Sequence, residues 1–258
     1  MAKIISLNNY KGGSTKTTTS VNLAKGLANL GNKVLLIDLD SQGNSSSKFL
    51  ETYEDDKGIV EVFEKTSDIK DCIHNTKHKN LYILPAKLEL EDTKEKMNLN
   101  AQTTLLRKLL SPISDDYDYI IIDNNPSYRI MLQNCVYCAD LIIVPVNIDN
   151  NSIKGVDFTI RKINEVISES LIDLNLDVKV LITKVSSQTK VSEQVKTAIR
   201  NAFRDRVLNT EIRLQVSPAE KQSFDEDYFM VDHTEQPVGL EYSNLVNEIV
   251  DMFKGGNC

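Results

Sequence analysis

Apolar residues in this chain come in short, dense runs, at residues 4–7, 34–37, 119–122, 141–146 and 178–182. Runs of this length without polar alternation mark strands that are buried on both faces of a parallel sheet. The intervals between them leave room for helical crossovers. In the first interval, Val21, Leu23, Ala24, Leu27, Ala28 and Leu30 recur at helical spacing over residues 17–30, and Gly31 follows as a C-cap. Strand, loop, helix, strand is a βαβ unit. Its repetition predicts an α/β fold, a mostly parallel sheet with helices on both faces and ligand sites beyond the carboxyl ends of the strands. A last helix is expected over 240–253, with Leu245, Val246, Ile249, Val250 and Phe253 on its docked side.

Composition narrows this picture. With 258 residues, 41% of them hydrophobic, the chain can bury a sizeable core, and a single domain over 1–258 is expected. The formal net charge of −7 excludes a nucleic-acid footprint over the whole surface but leaves a local basic patch open. Charge is unevenly placed. Acids dominate 51–71, where Ile59, Val60, Val62 and Phe63 still provide something to pack, and bases dominate 184–206. The four cysteines are too irregularly spaced for a disulfide framework and no signal peptide precedes them, so a reducing cytoplasm is expected. Cys135 and Cys138 form a CxxC inside an apolar helical stretch without a second pair, His74 and His78 share a helical spacing that reads as a solvated pair, and Cys258 lacks a prenylation box. None of these carries the chemistry. No apolar run approaches the roughly 20 residues of a membrane span.

The chemistry gathers at the strand ends. Directly after the first strand comes Lys11-Gly12-Gly13-Ser14-Thr15-Lys16-Thr17, and a helix begins there. In a phosphate-binding loop, backbone N–H groups surround the anion, a lysine reaches the β and γ phosphates and a hydroxyl coordinates Mg²⁺; Lys16 and Thr17 fit those two roles. The strict pattern G-x-x-x-x-G-K-[ST] fails, because Tyr10 and Thr15 replace its glycines. If position 15 needs a positive φ, a β-branched residue costs of order 1–3 kcal/mol or forces a changed loop. The second strand runs into Asp38 and Asp40, which period-two spacing puts on one face, and the third ends in Asp123, where a Walker-B-type carboxylate would support the metal's water shell.

With these motifs in place the sequence resembles the ParA/Soj/MinD group of P-loop ATPases, whose deviant Walker A motif is K-G-G-x-G-K-[ST]-[ST]. LLIDLDSQGN is similar to that group's LLIDLDPQGN, DYIIIDNNPS to its DYIIIDTPPS with Asn125 in place of a proline, and VLITK to its VLLTM. The resemblance implies a P-loop NTPase that takes ATP and Mg²⁺. By it, Lys11 is the signature lysine that reaches across an ATP-dependent homodimer, Lys16 the in-chain phosphate lysine, Thr17 the Mg²⁺ ligand and Thr18 an α-phosphate contact. Gly12, Gly13, Ser14 and Thr15 complete the loop around the nucleotide. Asp40 matches the carboxylate that positions the attacking water, and with Thr17 the resemblance puts Asp38, Asp40 and Asp123 around the metal and its waters. Hydrolysis would be slow until a partner completes the site.

Within the group, DNA partition fits better than membrane work. The last helix carries Glu241, Glu248 and Asp251 where a lipid-binding helix needs Lys or Arg. Lys196, Arg200 and Arg204 fall at i, i+4 and i+8, predicting one basic stripe on a helix, and Arg213 matches the family's arginine for non-specific DNA. Asn209-Thr210-Glu211 departs from the family's P-R-N. The first strand begins at Lys3, which leaves no N-terminal helix-turn-helix, so a separate ParB-like centromere-binding partner is implied. The expected protein is cytoplasmic and nucleoid-associated. The alternative is a pseudo-ATPase, an interaction protein of the same fold whose nucleotide binding Thr15 impairs.

Overall fold

The computed structural model describes all residues except 54, 98–100, 126–128, 150–151, 186–189, 215–228 and 256–258, and only the backbone at 190 and 191. Cys258 and residues 126–127 of the DYIIIDNNPS stretch therefore lie outside the described residues.

The five apolar runs are strands β1 (Lys3–Leu7), β2 (Val34–Asp38), β5 (Tyr119–Asp123), β6 (Leu141–Asn147) and β7 (Asp177–Val185). Three more strands were not foreseen: β3 (His74–Asn75), β4 (Leu81–Leu84) and β8 (Val207–Arg213). They are edge or near-edge strands, and β3 is two residues long, β8 mixed in polarity; such segments carry little periodic signal. The eight strands form one sheet in the order β3-β4-β2-β5-β1-β6-β7-β8, parallel throughout except for the antiparallel β3–β4 pair. His74 thus lies on a strand and His78 beyond it, not on one helix as their spacing predicts.

Helix α1 (Lys16–Asn29) follows β1, and α8 (Pro237–Gly255) closes the described chain. Alternate strand residues sort onto the two faces, as a pleated sheet requires. Leu36, Ile121 and Ile143 pack under α1 and α8 with Tyr242, Leu245 and Val246. On the other face Ile37 and Ile122 meet the short helices α2 (Ile59–Phe63), α3 (Leu90–Lys96) and α4 (Leu105–Leu110) and the longer α5 (Arg129–Cys138). Ile142, Val144 and Ile182 meet α6 (Ser152–Ser168) and α7 (Lys190–Phe203). Burying each such side chain contributes roughly 1.5–3 kcal/mol. The α1–α8 approach is close enough that a Cβ on Gly26 would lie 2.5 Å from Val246 Cγ2, which only glycine avoids. The apolar part of the acidic segment is α2, buried as its pattern predicts.

Strand order explains where a ligand sits. From β1 the chain steps to β2 on one side, and later from β5 to β6 on the other, so β1 lies at the reversal. In open parallel sheets the crevice beyond the strand ends at such a reversal is the binding place.

Candidate functional site: a phosphate loop at the end of β1

Beyond Leu7 the chain is held by Asn9, whose Nδ2 donates to Pro145 O (2.7 Å) and whose Oδ1 accepts from Lys11 N (2.8 Å). The loop then turns through two left-handed residues, Gly13 (φ 68°) and Thr15 (φ 66°, ψ 18°). Position 15 therefore does take the conformation that favours glycine, and the threonine is accommodated rather than avoided. Its hydroxyl donates to Thr183 Oγ1 (3.1 Å), sharing the proton with Ser14 O (2.6 Å). Thr183, fully buried on β7, donates to Asn147 Oδ1 (3.0 Å) on β6, and Asn147 Nδ2 donates to Gly13 O (2.7 Å). Strand register makes Asn147 and Thr183 direct neighbours. Lys184, itself left-handed (φ 53°), donates from Nζ to the same Gly13 O (3.2 Å).

The loop opens onto a cavity of about 560 Å³, lined among others by Gly12, Gly13, Lys16, Thr17, Asp40 and Asn125. Thr18 also faces it, at the amino end of α1, where backbone N–H groups and the helix dipole favour an anion. Lys16 Nζ donates to Asn9 O (3.1 Å); burial lowers its pKa, and the carboxylates of Asp123 and Asp40 work against that. Lys11 Nζ pairs instead with the Asp149 carboxylate. Ser14 Oγ, in the heart of the loop, is buried and has no hydrogen-bond partner among the described residues. An orphaned hydroxyl and a helix amino terminus fit an acceptor-rich ligand such as a phosphate.

Asp38 and Asp123 are cross-strand neighbours at the ends of β2 and β5, and both are buried. Burial first, and then the Asp123 charge, hold the Asp38 carboxyl well above the usual carboxylate range. Asp123 is raised as well, since burial outweighs hydrogen bonds from Ser45 and Thr17 and the nearby Lys16 charge. Asp38 Oδ1 accepts from Asp40 N (2.9 Å), and Oδ2 accepts from Ser46 N (2.9 Å) and Ser46 Oγ (2.8 Å). Asp123 accepts from Ser45 Oγ (2.6 Å) and Ser20 Oγ (3.2 Å). The strand stops at Asp38, so Asp40 does not share a strand face with it; Asp40 lies in the following loop and faces the cavity. Its Oδ1 accepts from Gln42 N (3.1 Å) and its Oδ2 from Asn125 Nδ2 (3.3 Å). Sequence reasoning missed Ser20, Ser45 and Ser46. Only the serine run at 45–47 behind the acidic loop hinted at them. The oxygen donors of Thr17, Asp38 and Asp123 suit a hard divalent cation that would relieve the two adjoining carboxylates. Among the described residues no group of three or more His, Cys, Asp or Glu converges to hold an ion unaided. Such a cation would need Thr17 and a phosphate to complete its shell.

The basic segment differs from its expected form. Helix α7 ends at Phe203, and Arg204 follows in a left-handed conformation (φ 50°), so Lys196, Arg200 and Arg204 do not continue one helical stripe. Lys196 Nζ pairs with Glu211 Oε2 (2.9 Å) and with Glu193 (3.1 Å), and Arg200 Nη2 pairs with Glu211 Oε1 (2.7 Å). Arg213 pairs with Glu241 on α8 (2.7 Å). Glu248, also on α8, accepts from Asn209 N (2.7 Å) and Thr210 N (2.9 Å). Two acids read from sequence as a lipid-repelling face thus tie α8 to β8. Among the described residues no helix is long and apolar enough to cross a membrane.

Comparison with known proteins agrees with this geometry. A family model described as an AAA domain matches residues 2–180. The chain is 31% identical to the sporulation initiation inhibitor protein Soj of Bacillus subtilis (strain 168) over 96% of its own length and 98% of that protein's. It is 30% identical to the chromosome partitioning protein ParA of Myxococcus xanthus, covering 90% of this chain and 82% of that one. A crystal structure of a plasmid partition protein from Borrelia burgdorferi, bound to AMPPNP, superposes with a TM-score of 0.79 at 25% identity, covering 97% and 98% of the two chains. A phosphate loop at the sheet reversal, carboxylates at the two neighbouring strand ends and these matches along nearly the whole chain lead to one assignment: the chain belongs to the ParA/Soj type of P-loop ATPases.

Proposed function

We propose that this protein, acting as a single domain over 1–258, is a DNA-partition ATPase that dimerises on ATP, binds DNA without sequence preference and releases it after hydrolysis stimulated by a ParB-like partner. The observation that carries the reading is the loop itself: Thr15 holds the left-handed turn while Lys16 and Asp40 both face the cavity. In this reading Gly12, Gly13, Ser14, Lys16 and Thr18 bind the phosphates of ATP, and Lys11 leaves Asp149 to reach the partner subunit's nucleotide. Thr17 and Asp123, with Asp38 bracing the loop behind them, hold Mg²⁺. That ion, when bound, would neutralise charge on the β and γ phosphate oxygens. Asp40 orients the attacking water, a step that depends on positioning more than on covalent chemistry. DNA contact by Lys196, Arg200, Arg204 and Arg213 requires the first two to leave Glu211 and the last to leave Glu241, which makes it weak and salt-sensitive. Cytoplasmic, nucleoid-associated location follows from that activity.

The test is titration of a fluorescent ATP analogue with Mg²⁺ against the wild type, Lys16→Ala and Thr15→Gly. Wild-type binding that weakens by roughly 100-fold in Lys16→Ala, the size expected for losing a charge-assisted contact to phosphate, supports an ATPase. Absence of wild-type binding with recovery in Thr15→Gly supports the nucleotide-free interaction protein instead.

A further inference from the structure

The phosphate loop of this chain is tied to two strands that its family motif does not include. Thr15 Oγ1, Thr183 Oγ1 and Asn147 form a directional chain of hydrogen bonds that ends on the carbonyl of Gly13, the loop's other left-handed residue. Each hydroxyl has one proton: Thr15 shares its own between Ser14 O (2.6 Å) and Thr183 Oγ1 (3.1 Å), Thr183 donates to Asn147 Oδ1, and the Asn147 amide donates back to the loop. The ring of contacts closes. Thr183 is fully buried, so a hydroxyl there without partners would be costly, and both its donor and its acceptor capacity are in use. A glycine at position 15 would relieve the left-handed strain and leave the loop without this side-chain tether.

We infer that Thr183 and Asn147 are positioning residues of the phosphate loop, acting through the Thr15 hydroxyl to fix the Gly13–Thr15 turn in the anion-binding shape. Thr15 is then a tether in place of a hinge. The loop's conformation is held from the ends of β6 and β7, and its grip on phosphate depends on that hold. Nucleotide binding enters only through the ATPase reading above, on which this part of the inference rests; the tether itself is a property of the protein without nucleotide.

Thr183→Val keeps the volume and removes the hydroxyl, and Thr183→Ser restores it. Hydrogen exchange of the amides at 11–18 in nucleotide-free protein is expected to speed up about tenfold in Thr183→Val and to return to the wild-type rate in Thr183→Ser. With nucleotide, Thr183→Val should raise KM for ATP about tenfold with kcat changed less than twofold, again rescued by serine. In a Thr15→Gly background the same Thr183→Val change should have a clearly smaller effect on either reading, since the Thr15 arm is already cut and only the Asn147 arm to Gly13 O remains. Unchanged loop exchange in Thr183→Val, or an equal effect in the Thr15→Gly background, overturns the inference. A wild type that binds no nucleotide yet shows the exchange pattern keeps the tether and removes the ATPase reading. A lowered kcat at constant KM, without serine rescue, would mean general disturbance and count against positioning.

Discussion

Cations gather at two places in this molecule, and they are held differently. At the loop, Lys16 is held by a neutral backbone carbonyl, Asn9 O, and faces an open cavity. Along α7 and β8, Lys196, Arg200 and Arg213 rest on carboxylates at 2.7–2.9 Å. A cation bonded to a dipole keeps its full charge for an incoming anion. One bonded to a carboxylate has to give up an ion pair first, so much of the new contact only replaces the old one. Under the proposed function, the difference favours strong phosphate binding at the loop and weak, conditional binding on the basic face. Lys11, paired with Asp149, belongs by its geometry with the second group.

The largest expected effect tests the loop side. Asp40 lines the cavity beside Lys16, and among the described residues its carboxylate takes one backbone and one side-chain hydrogen bond; under the proposed function it orients the reacting water. Asp40→Asn should lower partner-stimulated turnover by about 100-fold, within the range for losing a positioned catalytic carboxylate, while nucleotide affinity stays within about threefold. Steady-state kinetics together with the analogue titration read both quantities. A parallel loss of affinity would place Asp40 in ground-state binding and erase its distinction from Lys16.

On the basic face the sharpest variant is Glu211→Gln, which takes Arg200 off its carboxylate and leaves Lys196 with Glu193 alone. Affinity for non-specific duplex DNA at low salt should rise on the order of tenfold, and the plot of log affinity against log salt should steepen by about 1 as Arg200 becomes available to phosphates. Fluorescence anisotropy across a salt series measures it. An unchanged slope would remove the cations held by Glu211 from DNA binding.

The same contrast explains what could be read from sequence. The strands that carry the site were legible because burial on both sides makes them continuously apolar, and the loop because glycines, lysine and threonine must follow one another to wrap a phosphate. Asp123 was placed correctly at a strand end for the same reason. Asp38 and Asp40 were legible as acids, but their shared strand face was not real, because β2 stops where Asp38 turns back to accept from Asp40 N and Ser46. On the basic face, a helical spacing of Lys196, Arg200 and Arg204 gave no sign that α7 ends at Phe203, nor that Glu211 and Glu241 would arrive from distant segments. Local periodicity reports on one element. Pairing across elements depends on the register of β7 with β8 and on how α8 docks, and neither leaves a mark in the local pattern.

A smaller effect concerns Asn125, which stands where the family has a proline. Its Nδ2 donates to Asp40 Oδ2 at 3.3 Å, a long bond that orients the carboxylate from the β5 side. Asn125→Ala should reduce kcat by about three- to tenfold, the equivalent of one net hydrogen bond of roughly 0.5–1.5 kcal/mol, with KM for ATP nearly unchanged. An increase in kcat would show instead that the amide restrains Asp40, and the loop side would then share the conditional character of the basic face.

The smallest effect is a pH dependence on the basic side. Burial alone would raise the Glu211 carboxyl, but hydrogen bonds from Arg200 and Lys196, with their charges, outweigh it and hold the group below its ordinary value. A carboxyl depressed in the folded state binds fewer protons there than in the unfolded chain, so its contribution is complete above the ordinary glutamate pKa and disappears as pH falls through the folded value. Lys196 is raised by the same pair, and its share is lost only at pH above the lysine range. Asp38 and Asp123, raised by burial, act with the opposite sign, since their contribution declines as pH rises. They are common to the wild type and Glu211→Gln and cancel in the difference between the two. The stability gap between these proteins should therefore be at most about 1 kcal/mol near pH 7, as for a partly exposed ion-pair network, and should close as pH falls below about 4. Denaturant melts from pH 3 to 7 measure it. A gap that stays constant over that range would mean that Glu211 contributes packing and no charge, and the contrast between cations held by carboxylates and Lys16 held by a carbonyl would lose its electrostatic basis.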